Sequence, residues 1–263
     1  MRLDGAHVLV TGATRGIGRC IAVVMARRGA RLSLVARNAE ALGQVAAELD
    51  ASPIHAGLSD PGATGRVVQA AEEAEGPIDV LINNAALNPV GPLARIPQDA
   101  LLATVHTNLH APLELSRASL PGMIERRRGA IANIASMAGA MAMRNAMPYG
   151  TTKAGLMLAT RSLKRELRGT GVHAHLVVLG IVNTEMVPRA AEQDELTRAT
   201  TDRFADRITP LDARDVAERV VEAVATDRRR DLVLPAVAAG MLGLTNVPTR
   251  AADLLWMGLP PSY

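Results

Sequence analysis

Seven short apolar runs alternate with stretches of helical periodicity along this chain, at 7–11, 31–36, 53–56, 78–82, 129–134, 172–178 and 231–235. The helical stretches lie near 16–28, 39–50, 61–75, 98–127, 147–168 and 212–226. Start signals agree with them. Asp60-Pro61 sets a capping acid before a first-turn proline, and Asp212 opens the stretch that leads to Val216. Such alternation predicts right-handed βαβ units and hence an α/β fold: a single, doubly wound, mostly seven-stranded parallel sheet with helices on both faces. With 263 residues, 48% of them hydrophobic, the chain can bury the core this fold needs. The catalytic domain is expected to span 1–235. Within it, 184–211 lacks a strand pattern and reads as a long excursion over one sheet edge, of the kind often used as a lid.

Composition narrows the function classes. The formal net charge is +3, but the densest cationic runs, Arg126-Arg127-Arg128 and Arg228-Arg229-Arg230, each fall at the end of a predicted helix and before a predicted strand. Cations there complement the helix dipole rather than form a nucleic-acid face. Aromatic residues make up 2% of the chain, which leaves little to stack on bases. Cys20 is the single cysteine, which suits a reducing compartment. Residues 1–5 run straight into the first strand with no charged-then-apolar leader, so a cytoplasmic location is expected. The mostly apolar stretch from Leu232 to Pro248 is broken by Pro235, Gly240, Gly243 and Asn246, which argues against a membrane span.

A nucleotide site in a doubly wound sheet belongs at the carboxyl end of the first strand. There the sequence reads TGATRGIG, residues 11–18. Gly12 permits a sharp turn, Gly16 lets a diphosphate approach, and Gly18 lets the following helix pack close to the sheet. The helix N-terminus then offers unpaired N–H groups to phosphate.

This turn resembles the cofactor loop of the short-chain dehydrogenase/reductase family, a Rossmann-type fold, and further motifs of that family follow in order. Asn83-Asn84-Ala85-Ala86 resembles N-N-A-G, with alanine in place of the last glycine. Asn108 lies in the helical stretch 98–127, Ser136 follows the fifth strand, and Tyr149-Gly-Thr-Thr-Lys153 matches Y-x-x-x-K. Gly180-Ile-Val-Asn-Thr184 matches the segment after the sixth strand, although Leu179 stands where proline is usual. The resemblance implies cofactor contacts from Gly12, Thr14, Arg15, Gly16, Ile17, Gly18, Asn84, Ala85, Val182 and Thr184. Gly57 occupies the place of an aspartate that contacts adenine, which leaves only a backbone contact from Leu58.

Tyr149 and Lys153 are four apart on a predicted helix, so they share a face. A phenol near its reference pKa of about 10 is a poor acid–base group at neutral pH, and a neighbouring ammonium favours its ionisation. The resemblance implies that Tyr149 exchanges a proton with the substrate oxygen and that Lys153 also holds the nicotinamide ribose. It implies further that Ser136 hydrogen-bonds the reacting carbonyl and that Asn108 anchors a water on the proton path. A dehydrogenase preferring NAD usually ends its second strand with an acid for the ribose 2′-hydroxyl. Here Ala36 stands there, Arg37 follows, and Arg15 adds a second cation. Two guanidinium groups suit a 2′-phosphate, so the expected cofactor is NADP.

The expected reaction is hydride transfer between NADP(H) and a ketone or secondary alcohol. Met137, Met141, Met143, Met147 and Met186 surround the predicted site in sequence and suit either an apolar substrate or core filling. Arg144, Arg189 and Arg198 are candidates for an anionic substrate group. Two alternatives stay open: a reductase of 3-oxoacyl thioesters, and a non-catalytic NADP sensor or scaffold. The extension 236–263 carries Trp256 among Leu254, Leu255, Met257 and Leu259. It is expected to pack on a neighbouring subunit of a homodimer or homotetramer, with peripheral membrane contact as the second reading.

Overall fold

The computed structural model describes residues 1–186, 209–227 and 230–239, together with 188, 192, 194, 195, 198 and 199. Strands β1 (His7–Thr11), β2 (Arg31–Ala36), β3 (Ser52–His55), β4 (Val80–Asn83), β5 (Gly129–Ser136), β6 (Val172–Leu179) and β7 (Leu232–Leu234) form one sheet. Their order is β3-β2-β1-β4-β5-β6-β7, and every pairing is parallel. The expected doubly wound fold is present, with strand bounds shifted by one or two residues.

The inner strands β2, β1, β4, β5 and β6 are buried on both faces because each face has its own helices, whereas the edge strand β3 is partly exposed. Val8 and Val10 of β1, with Val80 and Ile82 of β4, pack toward α1 (Gly16–Arg27), α2 (Ala39–Leu49) and the helix Ala213–Ala225, which is α7 below. Leu9, Leu81 and Ile131 point the other way, toward α3 (Pro61–Glu75) and α5 (Ala111–Glu125). A smaller cluster joins Ala135, Leu176 and Val178 to Met157 of α6 (Met147–Glu166). That period-two alternation in a parallel sheet is why the strands read as continuous apolar runs.

The stretch 98–127, predicted as one helix, is interrupted. Helix α4 (Gln98–Val105) passes into a π-turn over His106–His110 before α5 begins. The Ala111 N–H reaches five residues back to the His106 carbonyl. Pro112, having no N–H, cannot give the Asn108 carbonyl its α-helical partner. The insertion falls on Asn108, and π-turns inside helices are frequent at functional sites.

The first arginine run staples helix ends to strand starts. Arg126 donates to the Ile78 carbonyl at 2.9 Å, Arg127 to Gly169 at 3.1 Å, and Arg128 lies 3.5 Å from the Asp79 carboxylate. Arg228 and Arg229 of the second run lie outside the described residues. So does most of the C-terminal extension, including Leu254, Leu255, Trp256, Met257 and Leu259. No helix among the described residues is long and apolar enough to cross a membrane. The excursion after β6 leaves and returns at one point: the Leu211 N–H bonds the Ile181 carbonyl, and the Asn183 N–H bonds the Leu211 carbonyl, each at 2.9 Å.

Candidate active site

The sheet order reverses between β1 and β4, so their carboxyl ends open the crevice where ligands bind in such folds. The glycine turn closes this crevice from one side. Gly12 and Gly16 have φ of +65° and +52°, the left-handed region that glycine enters without penalty. The Thr11 hydroxyl accepts the N–H groups of Asn84 and Ala85 at 2.9 and 3.1 Å. In return the Asn84 side-chain amide donates to the carbonyls of Thr11 and Gly12 at 3.0 and 3.2 Å. Asn84 thus acts through its side chain as the tie between the turn and β4.

A Cβ on Gly18 would fall 2.3 Å from the Gly12 carbonyl oxygen and 2.4 Å from Asn84 Nδ2, so the start of α1 is pressed onto the turn. Gly18→Ala is expected to cost about 1–3 kcal/mol of stability through overpacking. Gly43→Ala, in open space on α2, is expected to gain about 0.5–1 kcal/mol. Thermal unfolding of the two variants checks both signs.

The cradle fits a dinucleotide diphosphate. Arg15, at the N-cap of α1, makes no side-chain cap, and no acid lies in the helix's first turn. The first N–H groups and the positive end of the helix dipole are therefore left to an anion. Thr14 and Ile17 lie partly buried along the same turn. A Cβ on Gly16 would come 3.3 Å from the Thr184 methyl, which brings the segment after β6 to the turn. Val182 is buried in the core, as is Leu58, so both have chiefly main chain to offer a ligand.

At the adenosine end, β2 finishes in Ala36, and Arg37 follows with its side chain exposed. The Arg37 carbonyl accepts from His55 Nε2 at 3.0 Å, which fixes the main chain there. Arg15 extends from the glycine turn to Glu185, 2.9 Å away, in an ion pair exposed on both sides.

The groups expected to do the chemistry come from β5 and α6. Ser136 ends β5 and caps a short 3-10 turn, Met137–Gly139, by accepting the Ala138 N–H at 3.2 Å. Tyr149 lies in the first turn of α6, with its hydroxyl beside that of Ser136. Lys153 follows one turn later with only 3% of its surface exposed. Its Nζ donates to the Ile134 carbonyl at 2.8 Å and lies 5.6 Å from the centre of the Tyr149 ring. Burial pushes the Tyr149 phenol above its ordinary pKa, and the neighbouring Ser136 hydroxyl opposes that rise. Burial lowers the Lys153 ammonium to about 8. At neutral pH the site therefore holds a protonated phenol beside a cation, the form needed to give a proton away.

Asn108 reaches this site indirectly. Its side-chain amide donates to the Leu87 carbonyl at 2.8 Å and to Thr152 Oγ1 at 3.1 Å, and its Oδ1 accepts the Leu87 N–H at 2.8 Å. The Thr152 hydroxyl in turn donates to the Tyr149 carbonyl at 2.8 Å. The side chain is spent on holding the loop after β4 against α6. Pro112, which has no N–H, cannot donate to the Asn108 carbonyl from the α-helical position.

Three residues of this arrangement escape a reading of motifs alone. A Cβ on Gly139 would meet Ala154 N and Lys153 C at 2.7 Å, and one on Gly150 would meet the Ala138 carbonyl at 2.8 Å. These glycines let the Ser136 turn lie directly on α6. Thr152 is the third. All sit inside or beside the quoted motifs, so the signal was their adjacency to Ser136 and Tyr149. Of the methionines, Met137 packs on the cluster beneath α6, whereas Met141, Met143, Met147 and Met186 are 36–44% exposed. Core filling therefore accounts for the first and not for the other four. Arg198 pairs with Glu195 at 4.0 Å, and Arg189 lies outside the described residues.

A parallel doubly wound sheet with a glycine turn at its switch point, and Ser, Tyr and Lys converging at the carboxyl ends of its strands, defines a nucleotide-dependent oxidoreductase. The family model described as short chain dehydrogenase matches residues 6–195. A ketoacyl reductase, HetN, of Nostoc sp. is 37% identical over 228 residues, covering 84% of this chain and 76% of the relative. The 3-oxoacyl-[acyl-carrier-protein] reductase FabG of Vibrio cholerae is 31% identical over 222 residues, covering 84% of this chain and 90% of the relative. The crystal structure of a short-chain dehydrogenase from Streptomyces avermitilis superposes with a TM-score of 0.79 at 28% identity, covering 95% of each chain. The chain belongs to the short-chain dehydrogenase/reductase family, whose oxidoreductases act on keto and hydroxyl groups.

Proposed function

We propose that this chain is an NADPH-dependent reductase of 3-oxoacyl groups carried as thioesters, with Ser136, Tyr149 and Lys153 as its catalytic residues. The observation that carries the reaction type is the convergence of Ser136, Tyr149 and Lys153, with the Lys153 ammonium 5.6 Å from the centre of the tyrosine ring and the Ser136 hydroxyl beside the phenol. The thioester substrate is favoured over a free apolar ketone by what relatives such as HetN and FabG are named for. It fits the exposed methionines, which suit acyl chains of varied length. The intact Ser/Tyr/Lys set weighs against a sensor, which has no use for a proton-transfer tyrosine.

NADPH, when bound, supplies the hydride to the carbonyl carbon. The residues of the chain do the rest. Ser136 orients the carbonyl oxygen by donating to it, and Tyr149 delivers its hydroxyl proton to that oxygen as charge develops there. Lys153 stabilises the phenolate left behind, because a cation close to a buried anion offsets its desolvation. Its ammonium would also hold the nicotinamide ribose. Asn108, through Thr152 and the π-turn, keeps Tyr149 in register and would present the water that returns a proton to it.

Preference for NADPH over NADH rests on Arg37, Arg15 and the missing acid at Ala36. A 2′-phosphate would replace Glu185 as the partner of Arg15, a charge-for-charge exchange on an exposed surface. Ala36→Asp with Arg37→Ala is expected to reverse the preference, because the new carboxylate accepts a ribose hydroxyl and repels a phosphate. Comparing kcat/KM for the two cofactors checks it. Equal use of both by the unmodified chain contradicts the assignment.

A further inference from the structure

Asn145 lies between Ser136 and Tyr149, buried to 9% exposure among the exposed Met141, Met143 and Met147. Its φ of +58° is left-handed, a conformation that asparagine tolerates better than most side chains. Glycine would satisfy that backbone equally well, so the conformation alone does not explain an amide there. The bonds of this residue do. Its carbonyl accepts the Gly91 N–H at 2.8 Å, from the loop after β4. Its Nδ2 donates to both carboxylate oxygens of Asp194 at 3.1 and 3.3 Å, in the excursion after β6. The Asp194 carbonyl in turn accepts the Arg198 N–H at 3.0 Å, one turn further along the excursion.

One buried residue, in the stretch between Ser136 and Tyr149, thus bonds both the loop after β4 and the excursion after β6. We infer that Asn145 is a positioning residue that fixes these segments to one another and so sets the shape of the substrate mouth, through its paired contacts with Gly91 and Asp194. The part of the inference that concerns substrate rests on the reductase reading above; the coupling of the segments does not. An amide facing a carboxylate is charge-assisted and directional, so it fixes register better than apolar contact between methionines.

Three variants separate the contributions. Asn145→Gly keeps the left-handed backbone and the Gly91 bond but removes the amide. Asn145→Asp sets two carboxylates face to face. Asn145→Asp with Asp194→Asn restores an amide–carboxylate pair with the roles exchanged. Hydrogen exchange, measured by mass spectrometry on the full chain without substrate, is expected to quicken in peptides covering 88–95 and 184–199 for Asn145→Asp, and to return to the native rate in the double variant. For Asn145→Gly it is expected to quicken in 184–199 alone.

With acetoacetyl-coenzyme A as the probe, KM is expected to rise on the order of tenfold in Asn145→Asp, the loss of about one charge-assisted hydrogen bond. Change in kcat is expected to stay within about twofold, with native KM recovered in the double variant. Native exchange in Asn145→Asp, or no recovery in the double variant, overturns the inference. If the native chain reduces no thioester, the reductase reading fails, and the exchange measurement still decides whether Asn145 couples the segments.

Discussion

Replacing Tyr149 with phenylalanine is expected to lower turnover by about 10²–10⁴-fold while NADPH affinity and thermal stability barely change. The substitution removes one hydroxyl and leaves the ring against Lys153 in place. The lost group is the transferable proton that α6 sets beside Ser136. Lys153 is a poor substitute, since its Nζ is held by the Ile134 carbonyl at 2.8 Å. Ser136→Ala is expected to lose rate as well, by removing the donor that orients the carbonyl. Fluorescence titration with NADPH and a rate measurement on the same preparations separate binding from chemistry.

Replacing Lys153 with methionine is expected to have opposite effects on activity and stability. The ammonium is buried with a pKa lowered from 10.5 to about 8, so its charged form is costly to the fold. A depression of that size corresponds to about 3 kcal/mol, of which the lost hydrogen bond to Ile134 gives back about 1 kcal/mol. Methionine is of similar length and carries no charge. The variant is expected to be more stable than the native chain by about 2 kcal/mol at pH 7 and nearly inactive.

The sign of the pH dependence follows from the lowered value. Below pH 8 both native and unfolded chains carry the Lys153 proton, and the native fold bears the full cost. Between about 8 and 10.5 the native chain gives up that proton first, so the cost fades as pH rises. The stability advantage of Lys153→Met is therefore expected to be largest near pH 7 and to shrink toward pH 10. Reduction by the native chain is expected to fall above about pH 8 for the same reason, since the neutral amine no longer stabilises phenolate. Paired thermal melts across this range, with kcat/KM for reduction, check both trends.

Much of the fold is legible in the sequence because a parallel sheet covered on both faces demands continuous apolar strands, and those runs stand out between helical periods. Gly12, Gly16 and Gly18 are legible for a related reason, since a turn that binds phosphate has few ways to be built. What periodicity cannot show is a change of helical type. The π-turn at 106–110 carries no apolar signature, and it is marked only by Pro112 withholding one N–H. Contacts between distant segments are equally silent in sequence. Asn84 reads as a ligand contact, yet its amide holds the glycine turn to β4. Asn108 reads as the anchor of a water, and its side chain is occupied by Leu87 and Thr152. Asn145 belongs to no motif, because its meaning lies in Gly91 and Asp194, which come together only in the folded chain.

The most direct test follows NADPH absorbance while the native chain and Tyr149→Phe are each offered acetoacetyl-coenzyme A, with the acyl product identified by mass spectrometry. The native chain is expected to consume one NADPH for each 3-hydroxybutyryl thioester formed and to use NADH poorly, while Tyr149→Phe binds NADPH yet scarcely oxidises it. Tight NADPH binding by the native chain with no hydroxyacyl product, or equal rates for native and Tyr149→Phe, would contradict the proposed function.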